Sequence, residues 1–564
     1  MATIILNGEI QAKKPTDLSS KAQGEFDSFI VSNGDDMGRA SLSVIAQSVS
    51  LLSQVRTFFD FGAVGDGSTD DAAAIQSALR SGHSIINPRY AVFACGSTIS
   101  APNVNTYVRG GVLKFTGGTD GVQLHHTGAY SVDWDDCEIR TTQEKSGNGL
   151  SITYTAAVLA ANRHEELVRL GDGLQIGGTD AETGAWTVGL YGDNLSNDDI
   201  GAIHVRGRRN LSASSGTHDR EYLAGTIGIH LTSTDDGSPV TTDLSRVHVR
   251  ACETGIKLSG AMEGNAITGG QVINCRYGID ANYLDLVAGT DAIDPGLWVE
   301  GVHINASERC IIAKNLFEGW VKNCELYRFT NVDGVGWQAY EFDTLSEMQV
   351  GDNVISGFNT TGTPGSVDAG TITNTKRSRF FGDILRNCDS GIDVTDAASV
   401  NNDFRDLKAF NSSAKATWQT VTFSGGAGDS NIVSFDGGKG LKNSATGVTV
   451  TNSTTNIVAK SIPDGAVGEV YEVSFEFEAL KGGTAGLTKL FGEQTGGTGA
   501  ASFDLGAAID VWQGANHSAN ENYRGTGKGY ATVTVAGTIQ ITLQGQSAGS
   551  NATVDGAIRI RRIA

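Results

Sequence analysis

The sequence predicts an all-β chain whose middle two-thirds winds as a parallel β-solenoid, preceded by a short helical neck and followed by a β-sandwich. Three observations carry this. Glycine takes 74 of 564 positions, against an average usage of about 7%, so tight turns recur too often for a helical protein. The string Cys-x-x-Gly-Ile occurs three times, beginning at Cys252, Cys275 and Cys388. Beyond residue 436, longer runs alternate strictly between apolar and polar residues.

Taking the elements in order, residues 1–56 form an N-terminal assembly segment. From Asp36 to Arg56 the apolar residues Leu42, Ile45, Val49 and Leu52 follow at spacings of three, four and three, one stripe of a helix. A seam of about two heptads is too short to be stable alone. Such a helix either packs on its own domain or forms a neck where identical chains meet. In FFDFGAVGDGSTDDAAAIQSAL, residues 58–79, Gly62, Gly65 and Gly67 allow sharp turns. Asp70 and Asp71 then stand where carboxylates favour a helix start, with Ile75 and Leu79 inward. The expected role is a cap, and no metal is called for.

From residue 57 to about 435, short β-like runs are separated by Gly, Asn, Asp and Ser. The repeat reads Cys252-Glu253-Thr254-Gly255-Ile256, Cys275-Arg276-Tyr277-Gly278-Ile279 and Cys388-Asp389-Ser390-Gly391-Ile392, with Asn ahead of Cys275, Cys324 and Cys388. Trp298-Val299-Glu300-Gly301 and Leu316-Phe317-Glu318-Gly319 form a second, more closely spaced pair. A repeat of this length with strands, turns and no helix is one rung of a parallel solenoid. Leucine-rich repeats share the period but not the residues. On the order of 15 coils result, at a rung spacing of about 4.8 Å, with Cys and Ile stacked inward. In residues 436–564, Tyr471, Val473, Phe475 and Phe477 alternate with polar residues, as do Ile539, Ile541 and Leu543, and Ile558 and Ile560 alternate with arginines. These are strands with one wet face, suited to an antiparallel sandwich.

Composition excludes several functions. The net charge of −21 opposes nucleic-acid binding, which requires phosphate neutralisation. Seven cysteines without a Cys-x-x-Cys suggest buried apolar thiols rather than a metal site. No apolar run approaches the length of a membrane-spanning helix and the N-terminal stretch lacks a leader's apolar region, so neither membrane insertion nor classical secretion is expected.

The stretch FDFGAVGDGSTDDAAAIQSAL with the following HSIINPRYAVFACGSTIS resembles the start of the pectate-lyase-like superfamily of right-handed parallel β-helices. Tyr90 follows Pro88-Arg89 without the glycine often found there. Within that superfamily, the order of neck, β-helix and sandwich resembles bacteriophage tailspike depolymerases. That resemblance implies a homotrimer on the virion, joined to the phage tail through its N-terminal segment. It implies endolytic cleavage of a host surface polysaccharide without a cofactor, by hydrolysis in preference to uronate elimination or adhesion alone. The motifs of the polygalacturonase branch are absent.

Glycoside hydrolysis needs two carboxylates about 5–10 Å apart, a range reached by matched acids on neighbouring rungs. If the interval from Glu300 to Glu318 is one coil, these two are such a pair, with Trp298 and Trp320 beside them to stack on sugar rings. Asp343, about one coil further on, is the next candidate acid. A second constellation is basic. His204-Val205-Arg206-Gly207-Arg208 and Arg246-Val247-His248-Val249-Arg250 each alternate basic with small or apolar residues, at an interval that reads as close to two coils. Together with His230 these residues predict a cationic strip for sugar carboxylates, which arginine binds bidentately.

Overall fold

The computed structural model describes residues 28–33, 36–41 and, with internal gaps, 55–562, with side chains placed for most of 55–407. Between Val55 and Ser434 the chain is a parallel β-helix of three faces. The first sheet is a ladder of fourteen parallel strands from Val55–Arg56 to Ile432–Ser434. The second carries strands such as Gln175–Gly178, His204–Arg206 and His248–Arg250. The third carries Glu144–Tyr154, Ala185–Asp193, Leu223–Ser233 and Cys252–Gly260. Strands Gln271–Tyr283 and His303–Leu316 run round the corner from second to third, joining both into one ladder of 23 strands.

The interior is built of rows. Ile99, Val122, Leu150, Leu190, Ile229, Ile256, Ile279, Ile311 and Tyr340 stand on successive rungs in register, every one with no exposed surface. The interval between the first two Cys-x-x-Gly-Ile copies is therefore one coil, with Ile256 beside Ile279. All seven cysteines are buried free thiols. The asparagines ahead of them turn the corners: Asn274, Asn323 and Asn387 have φ of 57°, 55° and 52°, a left-handed conformation that Asn tolerates better than most residues.

A second interior row has no side chains at all. Gly121, Gly149, Gly189, Gly228, Gly255 and Gly278 precede the apolar residues of the third sheet on consecutive rungs. A Cβ on Gly228 would lie 2.3 Å from Val249 Cγ1 and 2.6 Å from the Gly255 carbonyl oxygen; on Gly255, 2.2 Å from Val272 Cγ1 and 2.6 Å from the Gly278 oxygen. This glycine column lets the valines of the second sheet rest directly on the backbone of the third.

At the N-terminal end, the helix Ala72–Arg80 buries Ile75 and Leu79 over the first coils. The aspartates there serve backbone. Asp71 accepts from the Val64 and Gly65 N–H groups (2.6 and 3.0 Å), Asp70 from Ala72 and Gly96 (3.1 and 3.0 Å), and Asp66 from Ser68 and Thr69 (2.8 and 2.7 Å). The predicted neck begins differently from expectation. Asp36–Ser41 is a strand paired antiparallel with Ser28–Asn33, and the seam Leu42–Leu52 lies outside the described residues. After the β-helix come two antiparallel sheets of five and four strands. Val470–Lys481 pairs with Asn522–Val535 and Ala552–Arg562, and Gly537–Ser547 with Thr455–Gly465 and Leu487–Gly496. The alternating segments read from the sequence are these strands.

Candidate functional site

Along each strand of the second sheet, one residue points inward between two that point out. The inward row includes Ile176, Val205, Val249 and Val272, all buried. One outward column runs Glu138, Gln175, His204, His248, Gln271, His303, Glu325. The other, two residues further along each strand, runs Arg140, Gly177, Arg206, Arg250, Ile273, Asn305, Tyr327. Between them lies a groove of about 460 Å³, lined from Arg140 and Gln175 at one end to Gln271 and Ile273 at the other. Gly177 and Gly178 open its floor, where a Cβ on Gly177 would meet the Arg206 carbonyl oxygen at 2.7 Å.

Its electrostatics oppose those of the chain as a whole. Among the described residues, no Asp or Glu lines it. His204 and His248 stack with ring centres 4.7 Å apart and planes 15° from parallel. Burial first, then the charges of His248 and Arg250, holds His204 below the usual imidazole value, so its ring is neutral at neutral pH. The Arg206 Nη2 donates to the Gly178 carbonyl oxygen at 3.0 Å, which fixes its head over the glycine floor. Arg250 is exposed and has no ion-pair partner among the described residues. Arg140 is neutralised by Glu138. At the far end His303 Nδ1 lies 2.9 Å from Glu325 Oε2, its ring stacked on Tyr327 at 5.2 Å.

The predicted basic strip is thus partly here. His204, Arg206, His248 and Arg250 share the groove, with register His204 to His248 and Arg206 to Arg250. The interval from His204 to His248 is one coil rather than two. Arg208 falls outside, because the chain leaves the sheet at buried Gly207, and Arg208 instead pairs with Glu144 at 3.0 Å. Arg246 sits at the preceding corner with φ 53°, its side chain 69% exposed and 3.7 Å from Asp172. His230 is on the third sheet, bonded to Ser259 at 2.9 Å and with its pKa pushed down by burial to about 4. Arg140, Gln175, Gly177, Gln271 and Ile273 were missed. The repeated tripeptide His-Val-Arg at 204 and 248 was the available signal.

The acids are elsewhere. The coil through Trp298 is longer than the interval from Glu300 to Glu318: Trp298 pairs with Trp320, which sets Glu300 beside Lys322 and Glu318 beside Gly296. The two glutamates are therefore four positions apart along adjacent strands of the first sheet. Gly319, packed against the Leu297 backbone, takes the inward place that aligning Glu318 with Glu300 denied it. Trp298 and Trp320 do meet, edge to face at 6.1 Å, on the outer side of the first sheet, with Lys322 Nζ 5.3 Å from the Trp320 ring centre. Asp343 lies on the third sheet between Lys314 and Thr373, on a different face from both glutamates. A matched pair of acids does exist, at Asp199 and Asp243, in register on the first sheet and both exposed. Burial and then the Asp199 charge raise the pKa of Asp243.

No family model matches the chain, and no curated protein does. Among solved structures it is similar to the enzymatically active domain of tailspike protein 2 of bacteriophage CBA120, at 11% identity over 94% of this chain and 85% of that one, TM-score 0.34. It is similar also to the Dettilon tailspike protein, at 11% identity over 91% and 97%, TM-score 0.32. Pre-mature gene product 12 of bacteriophage phi29 matches at 12% over 70% and 57%, TM-score 0.39. The β-helix itself is established by the chain's own ladders of parallel pairings.

Proposed function

We propose that this protein is a bacteriophage tailspike that binds an acidic polysaccharide of the bacterial surface along the second sheet and cleaves it there. One observation carries the reading. Two His-x-Arg pairs stand in register on adjacent rungs of a groove whose described lining holds no carboxylate, in a chain of net charge −21. Arg206 and Arg250 suit a sugar carboxylate. With that charge held, the proton at C5 of a uronic acid becomes removable, and the neutral His204 imidazole is the base within the groove. The electron pair then expels the C4 oxygen, which takes a proton as it leaves, and an unsaturated sugar end remains. Assembly as a homotrimer attached to the tail through residues 1–56 belongs to the same reading.

Hydrolysis is the second reading, favoured by Asp199 and Asp243, whose in-register placement on adjacent rungs suits a two-carboxylate site. Incubation with acidic capsular and O-antigen polysaccharides separates the cases. Elimination yields products absorbing in the ultraviolet, and hydrolysis yields reducing ends without that absorbance. Binding without either product leaves an adhesin. Loss of elimination in His204→Ala with binding retained supports the base, whereas full activity in that variant removes it.

A further inference from the structure

We infer that the second sheet carries a second catalytic centre beyond the groove, which hydrolyses O-acyl esters, such as acetates, borne by a polysaccharide. This goes beyond the elimination proposed above and rests only on its placing of the polymer along the second sheet. The centre takes four outward positions of two neighbouring strands, in register as His303 to Glu325 and Asn305 to Tyr327. A carboxylate only accepts hydrogen bonds. At 2.9 Å from Glu325 Oε2, the His303 Nδ1–H is therefore the donor, and the lone pair of the neutral ring sits on Nε2, which has no partner among the described residues. The dyad is open to a ligand, with the His303 side chain 35% exposed and that of Glu325 54%. Tyr327 stacks on the imidazole at 5.2 Å, with planes 29° apart. The Tyr327 hydroxyl and the Asn305 amide make no hydrogen bond among the described residues.

These parts select the reaction. Glycoside hydrolysis takes two carboxyl groups, and Glu325 is committed to the imidazole. Elimination starts from a ring bearing a carboxylate, which Glu325 repels. An acyl ester is neutral and needs a base to activate water and donors for the oxyanion. His303 Nε2 takes a proton from a water whose oxygen bonds to the acyl carbon. The carbonyl electron pair moves onto its own oxygen, to which the Tyr327 O–H and the Asn305 amide N–H donate. As that pair returns, the bond to the sugar oxygen breaks, and the His303 imidazolium, its charge balanced by Glu325, gives the proton to the departing oxygen. A carboxylic acid and a free sugar hydroxyl result, with water the only co-reactant.

The test incubates the full-length protein with acetylated xylan, a neutral polymer carrying acetyl esters, and measures the acetate released. His303→Ala should lower kcat at least about 100-fold, and imidazole added to the solution should restore part of the loss, which a merely structural residue would not allow. Tyr327→Phe should lower kcat about 100-fold. Glu325→Gln, a change to a positioning residue, should lower it at least about tenfold with KM unchanged. All three side chains point outward, so the thermal midpoint should stay that of the parent. No acetate release, a parental rate in His303→Ala, or a loss there that imidazole leaves untouched overturns the centre. An ultraviolet-absorbing product that disappears in His303→Ala makes this imidazole an elimination base and overturns it too. Retention of an acidic polysaccharide without acetate release removes this centre and leaves the groove reading standing, whereas His303-dependent acetate release without such retention does the reverse.

Discussion

Alanine at Gly228 tests the interior on which the groove depends. Its Cβ would lie 2.3 Å from Val249 Cγ1 and 2.6 Å from the Gly255 oxygen. Val249 is 1% exposed and sits between His248 and Arg250, so it cannot yield without moving the groove wall. Overpacking a close-packed interior typically costs about 1–3 kcal/mol. Two contacts this short, one of them to backbone, put Gly228→Ala at the upper end, about 3 kcal/mol. Val249→Ala alone should cost about 2 kcal/mol through lost burial. It also removes the methyl groups that the new Cβ meets, so the double variant should be less destabilised than the sum by at least about 1 kcal/mol. Urea midpoints at constant m-value measure all three, or unfolding rates if refolding fails. A Gly228→Ala protein within about 0.5 kcal/mol of the parent, or strict additivity with Val249→Ala, would refute the claim that the column has no room for a side chain.

Three further outcomes are expected. Arg250→Ala should weaken binding of an acidic polysaccharide about tenfold at low salt, with the difference shrinking as salt rises, while corner residue Arg246→Ala should have little effect; titration at two ionic strengths reads both. Asp383 is fully buried, accepting from the Asn353 N–H, the Asn353 side chain and the Tyr340 hydroxyl (2.9, 3.0 and 3.2 Å). Burial pushes its pKa up to about 7, and that of Asp198 likewise. Each raised carboxyl stabilises the fold fully below its unfolded value near 3.8 and loses that contribution as pH rises towards 7, on the order of 4 kcal/mol apiece. Stability should therefore fall across pH 4–7, and Asp383→Asn should remove about half of that fall, read by denaturation at each pH. Glu300→Gln and Glu318→Gln, four positions out of step on the first sheet, should leave turnover unchanged.

The solenoid was legible because its rows repeat residue types. The Gly-Ile of the first two cysteine copies ends a longer series, Gly121-Val122, Gly149-Leu150, Gly189-Leu190 and Gly228-Ile229, and the third copy lies further along the same row. Its intervals vary because excursions of different length leave the coil at its corners, and this irregular spacing hid the series. The same variation misled the phase at Trp298. Two short matches, Glu300-Gly301 and Glu318-Gly319, looked like a coil, whereas the strand ladder aligned Trp298 with Trp320. In the groove, alternation identified His204, Arg206, His248 and Arg250. Arg208 and Arg246 could not be sorted from them, since a strand ending at Gly207 and a corner at Arg246 leave no mark in the alternation. Gln175, Gly177 and Ile273 matter only through which rung they occupy, a property of the wound chain.

The column of glycines has a further consequence. It fixes how closely the second sheet rests on the third, and the outward residues of the second sheet take no part in that contact. Exchanging the outward letters of a few neighbouring strands would change what is recognised without disturbing how the rod is wound. A constrained frame and an editable display thus lie one atom layer apart, so a rod of this build can change what its face presents by single substitutions.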